Sequence, residues 1–241
     1  MDRGTLSVIA ALGALLNGGL YIVLVFIAAL LMHRAGAAEL AIAAYRRSFF
    51  AAPHPVKIAS ARAGNVIGGG DWAADRIVPD CIRALERGLP VAVRNPHATR
   101  PWQHVLEPLS GYLWLAARLA ALPDNRSPLC GPFNFGPGHD ANRSVGELVT
   151  ELLKHWPGCW EDKSDPGALH EAVFLQLSTD KASALLGWSA AWDFASAVRE
   201  TADWYRANRN GLACAPAVTR AQIDAYGAAA KKAGLGWSQE P

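Results

Sequence analysis

The sequence predicts an α/β fold preceded by an apolar helix. Three observations carry that reading. Short strand-like segments alternate with longer helix-patterned ones from residue 38 onward, and the run Lys57-Ile-Ala-Ser-Ala-Arg-Ala63 breaks into the glycine-rich turn Gly64-Asn-Val-Ile-Gly-Gly-Gly-Asp71. Ahead of both, Leu6 to Met32 has Asn17 as its one strongly polar side chain.

Taken in chain order, residues 6–32 are long enough, at about 1.5 Å per residue, to cross a bilayer core of roughly 30 Å, so a transmembrane helix is expected there. A secretory signal is the rival: Met1-Asp-Arg3 is a weak basic start and Ala35-Gly-Ala37 fits a small-x-small cleavage site, although the apolar part far exceeds the usual ~7–15 residues. Arg34, Arg46 and Arg47 follow the apolar run against Arg3 before it, which places the body after it in the cytoplasm, anchored to the inner membrane if the span is real.

Residues 38–50 read as a helix ended by Pro53 and Pro55, followed by a strand at Val56–Ala61. A helix over Ile77–Glu86 starts near Asp75, and Gly88-Leu-Pro90 turns into the short strand Val91–Val93. Leu109–Leu122 is an apolar helix stopped by Pro123, and Gly131–Gly136 is a strand. Ser144 caps a helix over Val145–His155, with Glu147 three residues on completing a capping box. Helices follow at 178–187 and Phe194–Asn208, while Pro123–Pro128 and Trp156–Leu169 have the composition of linkers.

A net charge of +2 and a pI near 8.4, without a basic stripe interleaved with aromatics, argue against nucleic acid as a partner. Cys81, Cys130, Cys159 and Cys214 form no C-x-x-C pair and read as reduced structural thiols. His155 and Cys159 stand at i and i+4, but Pro157 between them disfavours a shared helix face, so no metal site is expected.

The run from Lys57 to Asp80 resembles a segment of the CDP-glucose 4,6-dehydratases, which are extended short-chain dehydrogenases of the NAD-dependent epimerase/dehydratase kind. The resemblance continues in order through Arg94-Asn-Pro-His-Ala-Thr-Arg-Pro-Trp-Gln-His-Val105, Phe133-Asn-Phe-Gly-Pro137, His170-Glu-Ala172, Leu186-Gly-Trp188 and Asp203-Trp-Tyr205. It covers roughly residues 38 to 226, giving an organisation of an apolar segment (1–37), a dehydratase-like body (38–226) and a tail (227–241). The fold it implies is the C-terminal part of an extended short-chain dehydrogenase, that is, the last strands of the sheet with a small substrate-binding domain.

Family chemistry, by the same resemblance, converts CDP-glucose to CDP-4-keto-6-deoxyglucose for surface polysaccharides, using NAD and a Tyr-x-x-x-Lys pair. No G-x-G-x-x-G or G-x-x-G-x-x-G run occurs in the 241 residues, and the positions of the Tyr and Lys are Leu31 and Ala35. NAD is therefore not expected to bind this chain alone, no catalytic residue is assigned, and the chain is expected to be inactive alone. A separate chain bearing the Rossmann half could complete it; a membrane-tethered, non-catalytic nucleotide-sugar-binding protein is the alternative. The abrupt end of the resemblance also fits a frameshift or mis-called start replacing the first 37 residues.

Six residues are candidates for binding CDP or CDP-glucose: Asn65, Arg100, Asn134, Asp71, Arg76 and His104. Asn65 follows the first strand, where the family's matching Asn contacts the nucleotide-sugar; an asparagine holding its own turn is the competing role. Arg100 resembles the diphosphate-binding arginine, and a guanidinium can hold two phosphate oxygens at once. His104 is equally a packed histidine, Asn134 is a polar residue in an apolar strand, and Asp71 with Arg76 could form a local ion pair. Trp188, Trp192 and Trp204 are read as packing residues rather than sugar platforms.

Overall fold

A computed structural model describes residues 22–26, 32–138, 141–165 and 177–239. The chain divides into two compact units, Met1–Arg62 with Tyr112–Phe133, and Ala63–Gly111 with Asn134–Pro241.

The first unit is built on a three-stranded sheet in the order β1 (Ile22–Phe26), β2 (Lys57–Ala63), β7 (Pro132–Phe135). β1 and β2 run parallel, with Ile22 opposite Lys57 and Phe26 opposite Ala61, joined through helix α1 (Met32–Phe49). A central strand is covered on both faces, and Ile58, Ala59, Ser60 and Ala61 are accordingly all buried. Lys57 is also buried; its Nζ donates to the carbonyl of Leu122 at 3.0 Å, which satisfies the ammonium where water cannot. Glu39 of α1 accepts from Ser60 Oγ at 2.7 Å and pairs with Arg62 at 3.6 Å.

β1 corrects the expected transmembrane helix. Ile22-Val-Leu-Val-Phe26 is a strand of a parallel sheet, and among the described residues no helix is long and apolar enough to cross a membrane. A strand of a parallel sheet and a bilayer span both favour continuous apolar runs, so composition alone could not separate them. The rest of the 6–32 stretch lies outside the described residues, apart from Met32, the first residue of α1. α1 itself starts six residues before the expected helix at 38.

The second unit packs α2 (Ile77–Glu86), α4 (Val145–His155) and α6 (Phe194–Ala207) around one core. α2 contributes Val78, Cys81, Ile82 and Leu85, an i, i+3, i+4, i+7 stripe. α4 contributes Leu148, Val149 and Leu152, and α6 contributes Val198, Trp204 and Tyr205. The capping box of α4 forms as its sequence predicts: Ser144 Oγ accepts from Glu147 N at 3.1 Å, and Glu147 Oε2 accepts from Ser144 N at 2.7 Å.

Three two-stranded ladders tie the loops to this core. β3 (Val66–Ile67) pairs in parallel with β6 (Gln103–His104), β4 (Val91–Val93) in parallel with β9 (Trp160–Asp162), and β5 (Thr99–Pro101) antiparallel with β8 (Asn142–Ser144). β9 lies inside the stretch read as a linker; three residues are too few to show alternation, and Val91 in register with Trp160 is what makes them a strand.

The remaining helices are α3 (Leu106–Ala120), α5 (Asp180–Leu186), α7 (Ala215–Lys232) and α8 (Gly236–Gln239). α7 continues through residue 226, the boundary expected from sequence between the dehydratase-like body and the tail. Trp237 beyond it stacks on Tyr226 with ring centroids 5.6 Å apart.

Candidate functional site

A cleft of about 340 Å³ opens within the second unit. One wall is the loop after β2, carrying Asn65 and Asp71, and it continues into Asp75, Arg76 and the first turn of α2. The other is the segment after β4 through β5, carrying Arg94, Asn95 and Arg100, with Trp102 at its base.

Backbone ladders hold both walls. Gln103 N donates to Asn65 O at 3.1 Å and Val105 N to Ile67 O at 2.8 Å, so the turn that bears Asn65 is fixed against β6. Arg100 sits in β5 opposite Arg143 of β8, and Trp102 Nε1 donates to Arg143 O at 2.9 Å. Arg100 Nη1 donates to the carbonyl of Thr99 at 2.8 Å. The 71–76 loop is pinned by Tyr205, whose hydroxyl donates to Asp71 O at 2.5 Å, and by Arg83, which donates to the carbonyls of Trp72 and Ala73. Burial, with Asp71 nearby, pushes the Tyr205 hydroxyl up to about 12, so it remains a donor at any physiological pH.

The glycine turn has a different purpose from the one its composition suggests. A Cβ on Gly69 would lie 2.0 Å from Trp204 Cδ2, and one on Gly68 would lie 2.8 Å from Val105 Cγ1. The space beside Gly69 is filled by Trp204, while Gly68 also lines the cleft. Gly70 takes φ +85°, which L side chains rarely adopt.

Of the six sequence candidates, Asn65, Asp71, Arg76 and Arg100 line this one cleft. Arg76 and Asp71 also form the ion pair considered from sequence, at 3.8 Å. Asn134 and His104 are not among the cleft residues. Asn134 Nδ2 donates to Ser178 O at 2.9 Å, joining β7 to the segment before α5. His104 is buried, its Nδ1 accepts from Leu106 N at 3.3 Å, and its ring meets Trp192 edge-on at 5.0 Å. Burial lowers its pKa to about 4, so it is neutral at pH 7. Packing is also the role of Trp188 and Trp204, both buried in the second unit.

Sequence reading missed Asp75, Arg94 and Asn95 as cleft residues. Arg94 opens the run 94–105 that also contains Arg100, six residues later, and that shared segment was the available signal. It also missed Glu107, a buried carboxylate that does not line the cleft. Its oxygens accept from Ala191 N, from Trp192 N at 2.7 Å and from the Tyr226 hydroxyl at 2.8 Å. Burial raises the Glu107 pKa, while these three donors oppose the rise.

No family model matches the chain. Over 180 residues it is 41% identical to the CDP-glucose 4,6-dehydratase of Salmonella typhimurium (strain LT2), a match covering 71% of this chain and 48% of that protein, in its C-terminal part. The chain is a relative of CDP-glucose 4,6-dehydratase. It spans about half the length of that protein. Among solved structures, a double mutant of the dTDP-glucose 4,6-dehydratase DesIV from Streptomyces venezuelae, with NAD bound, matches with a TM-score of 0.58 at 18% identity, covering 81% of this chain and 57% of its own. The dTDP-glucose 4,6-dehydratase of Bacillus anthracis, in complex with NAD, gives 0.56 at 17% identity over 73% and 51%. The UDP-glucose 4-epimerase of Thermotoga maritima, with UDP-glucose, gives 0.57 at 20% identity over 71% and 52%. The α/β fold is shared with these dehydratases and epimerases.

NAD is thus bound by the structural neighbours, and these 241 residues carry no G-x-G-x-x-G or G-x-x-G-x-x-G run that would fit its pyrophosphate. A pyrophosphate cradle needs a strand-to-helix turn in which glycines let backbone amides approach. In sequence, Ile27-Ala-Ala-Leu-Leu31 contains no glycine, and the would-be Cβ positions of Gly68 and Gly69 fall on Val105 and Trp204.

Proposed function

We propose that this chain supplies the nucleotide-sugar-binding part of a CDP-glucose 4,6-dehydratase, holding CDP-glucose through its diphosphate in the cleft of the second unit. The observation that carries the reading is the convergence of Asn65, Arg76 and Arg100 on one cleft. Two guanidiniums suit a diphosphate, and an asparagine amide suits a sugar or ribose hydroxyl. Dehydration of the glucose at C4, C5 and C6 requires NAD and a Tyr/Lys pair from outside these 241 residues, on a separate chain or segment, since Leu31 and Ala35 stand at the matching positions. In that role the protein acts in the cytoplasm, in nucleotide-sugar supply for surface polysaccharides.

Isothermal titration of the full chain with CDP, CDP-glucose and cytidine tests the assignment. Binding of CDP is expected at roughly 0.1–1 mM, equivalent to about 4–5.5 kcal/mol. Arg100→Ala should weaken CDP and CDP-glucose alike by about 1.5–3 kcal/mol and leave cytidine unaffected. Absence of CDP binding to a folded sample, or an Arg100→Ala variant with unchanged CDP affinity, would overturn it.

A further inference from the structure

The cleft is electrically balanced. Its lining holds three arginines, Arg76, Arg94 and Arg100, against three aspartates, Asp71, Asp75 and Asp80. Asp80 is engaged with Arg83, outside the lining, and Arg76 stands 3.8 Å from Asp71. The tightest pair within the lining is Arg94 with Asp75, at 2.7 Å. It runs from one wall to the other, from the segment after β4 to the turn that leads into α2. Both side chains are 74% exposed, so the pair breaks at little cost.

Asp75 itself is held in an unusual backbone conformation. It is the one non-glycine residue with positive φ among the described residues, at +62°. Aspartate tolerates that region better than most L residues, and the turn it makes brings its carboxylate to Arg94.

We propose that Arg94 is a second diphosphate-binding arginine and that Asp75 is its internal competitor: a nucleoside diphosphate entering the cleft takes the place of the Asp75 carboxylate on the Arg94 guanidinium. This rests on the cleft being the nucleotide-sugar site. A phosphate oxygen and a carboxylate oxygen make the same charge-assisted bond to a guanidinium, so the exchange conserves bonding while releasing the cross-cleft tie. The Asp75 carboxylate sets a ceiling on affinity, and it keeps Arg94 oriented toward the cleft.

A double-mutant cycle on the full chain, read by titration with CDP and with inorganic pyrophosphate, tests this. Asp75→Asn, which retains tolerance of positive φ, should bind CDP about two- to fivefold tighter, the range an exposed ion pair allows. Arg94→Ala should bind it about five- to twentyfold more weakly. The double variant should match Arg94→Ala, because Asp75 acts only through Arg94. If Asp75→Asn tightens binding equally in the Arg94→Ala background, the effect is bulk charge and the competition is refuted. Unchanged CDP affinity in Arg94→Ala, with Arg100→Ala weakened as expected, leaves the nucleotide-sugar site standing and removes Arg94 from it. No CDP binding to the parent chain overturns both.

Discussion

The indole of Trp204 occupies the space where any side chain on Gly69 would have to lie, with Cδ2 only 2.0 Å from the would-be Cβ. Trp204 is buried, and its Nε1 donates to Thr219 Oγ1 at 2.9 Å, which resists displacement of the ring. Gly69→Ala is therefore expected to lose about 1–3 kcal/mol of stability through overpacking. Gly227, inside α7 with nothing within 4 Å of its would-be Cβ, should instead lose no stability when changed to alanine, since an open helical position favours alanine by up to about 1 kcal/mol. Urea denaturation of the two variants measures the difference, and equal losses would contradict the packing role.

Glu107→Ala leaves the amides of Ala191 and Trp192 and the Tyr226 hydroxyl without their acceptor in a buried site. A loss of about 3–5 kcal/mol is expected, against about 1–3 for Glu107→Gln, which keeps one acceptor oxygen. Trp192 fluorescence should report the opened site in the alanine variant. A melt of Glu107→Ala indistinguishable from that of the parent would rule out the network as an anchor.

His104 makes stability fall in acid. Its folded pKa of about 4 lies below the ordinary value of about 6.5, so the unfolded chain takes up the proton first. The neutral ring's contribution is complete above about pH 6.5 and is lost as pH falls toward 4, to a total of about 3 kcal/mol. Glu107 acts oppositely: its pKa is raised on folding, so its ionisation works against the fold as pH rises through the folded value. Comparing the parent with His104→Gln between pH 7 and pH 4 isolates the histidine. The parent should lose about 3 kcal/mol more than the variant over that range. Parallel stability curves for the two proteins would count against a buried neutral His104.

Incubated with NAD and CDP-glucose, the 241-residue chain should form no 4-keto product, because neither a cradle for NAD nor the Tyr/Lys pair is present in its sequence. Mass spectrometry of the nucleotide-sugar, looking for loss of one water, is the check. Turnover would mean that other residues perform the proton and hydride steps.

Where a signal was local, the sequence was readable to the residue. Ile77–Glu86 carries its own apolar stripe and Val145–His155 its own capping box, and both helices have the expected bounds. β1 failed because its apolar run answers equally to lipid and to neighbouring strands. β3, β5, β6, β8 and β9 have two or three residues each, and they exist only through partners distant in the chain. In the site, Asn65, Asp71, Arg76 and Arg100 were legible because they lie within the two longest family-like runs, 57–80 and 94–105. His104 stood four residues from Arg100 in the same motif, yet β6 and the turn into α3 carry it, together with Gln103, into the interior. Asp75 and Arg94 meet across the cleft only once β4 and α2 are placed, and no spacing in the chain announces that.

The hold of Glu107 on Tyr226 sets a practical limit on shortening this protein. Sequence likeness to the dehydratase fades near residue 226, which invites trimming there, but Tyr226 is a buried bond partner and Trp237 lies against its ring. A chain ending at residue 225 would uncover the carboxylate that Trp192 N caps and strip the second unit of the last turns of α7 and of α8. One ending at residue 239 keeps the whole latch. Affinity tags and fusion partners therefore belong after the last helix, and domain trimming by similarity alone would yield a protein that misfolds for reasons unrelated to its ligand.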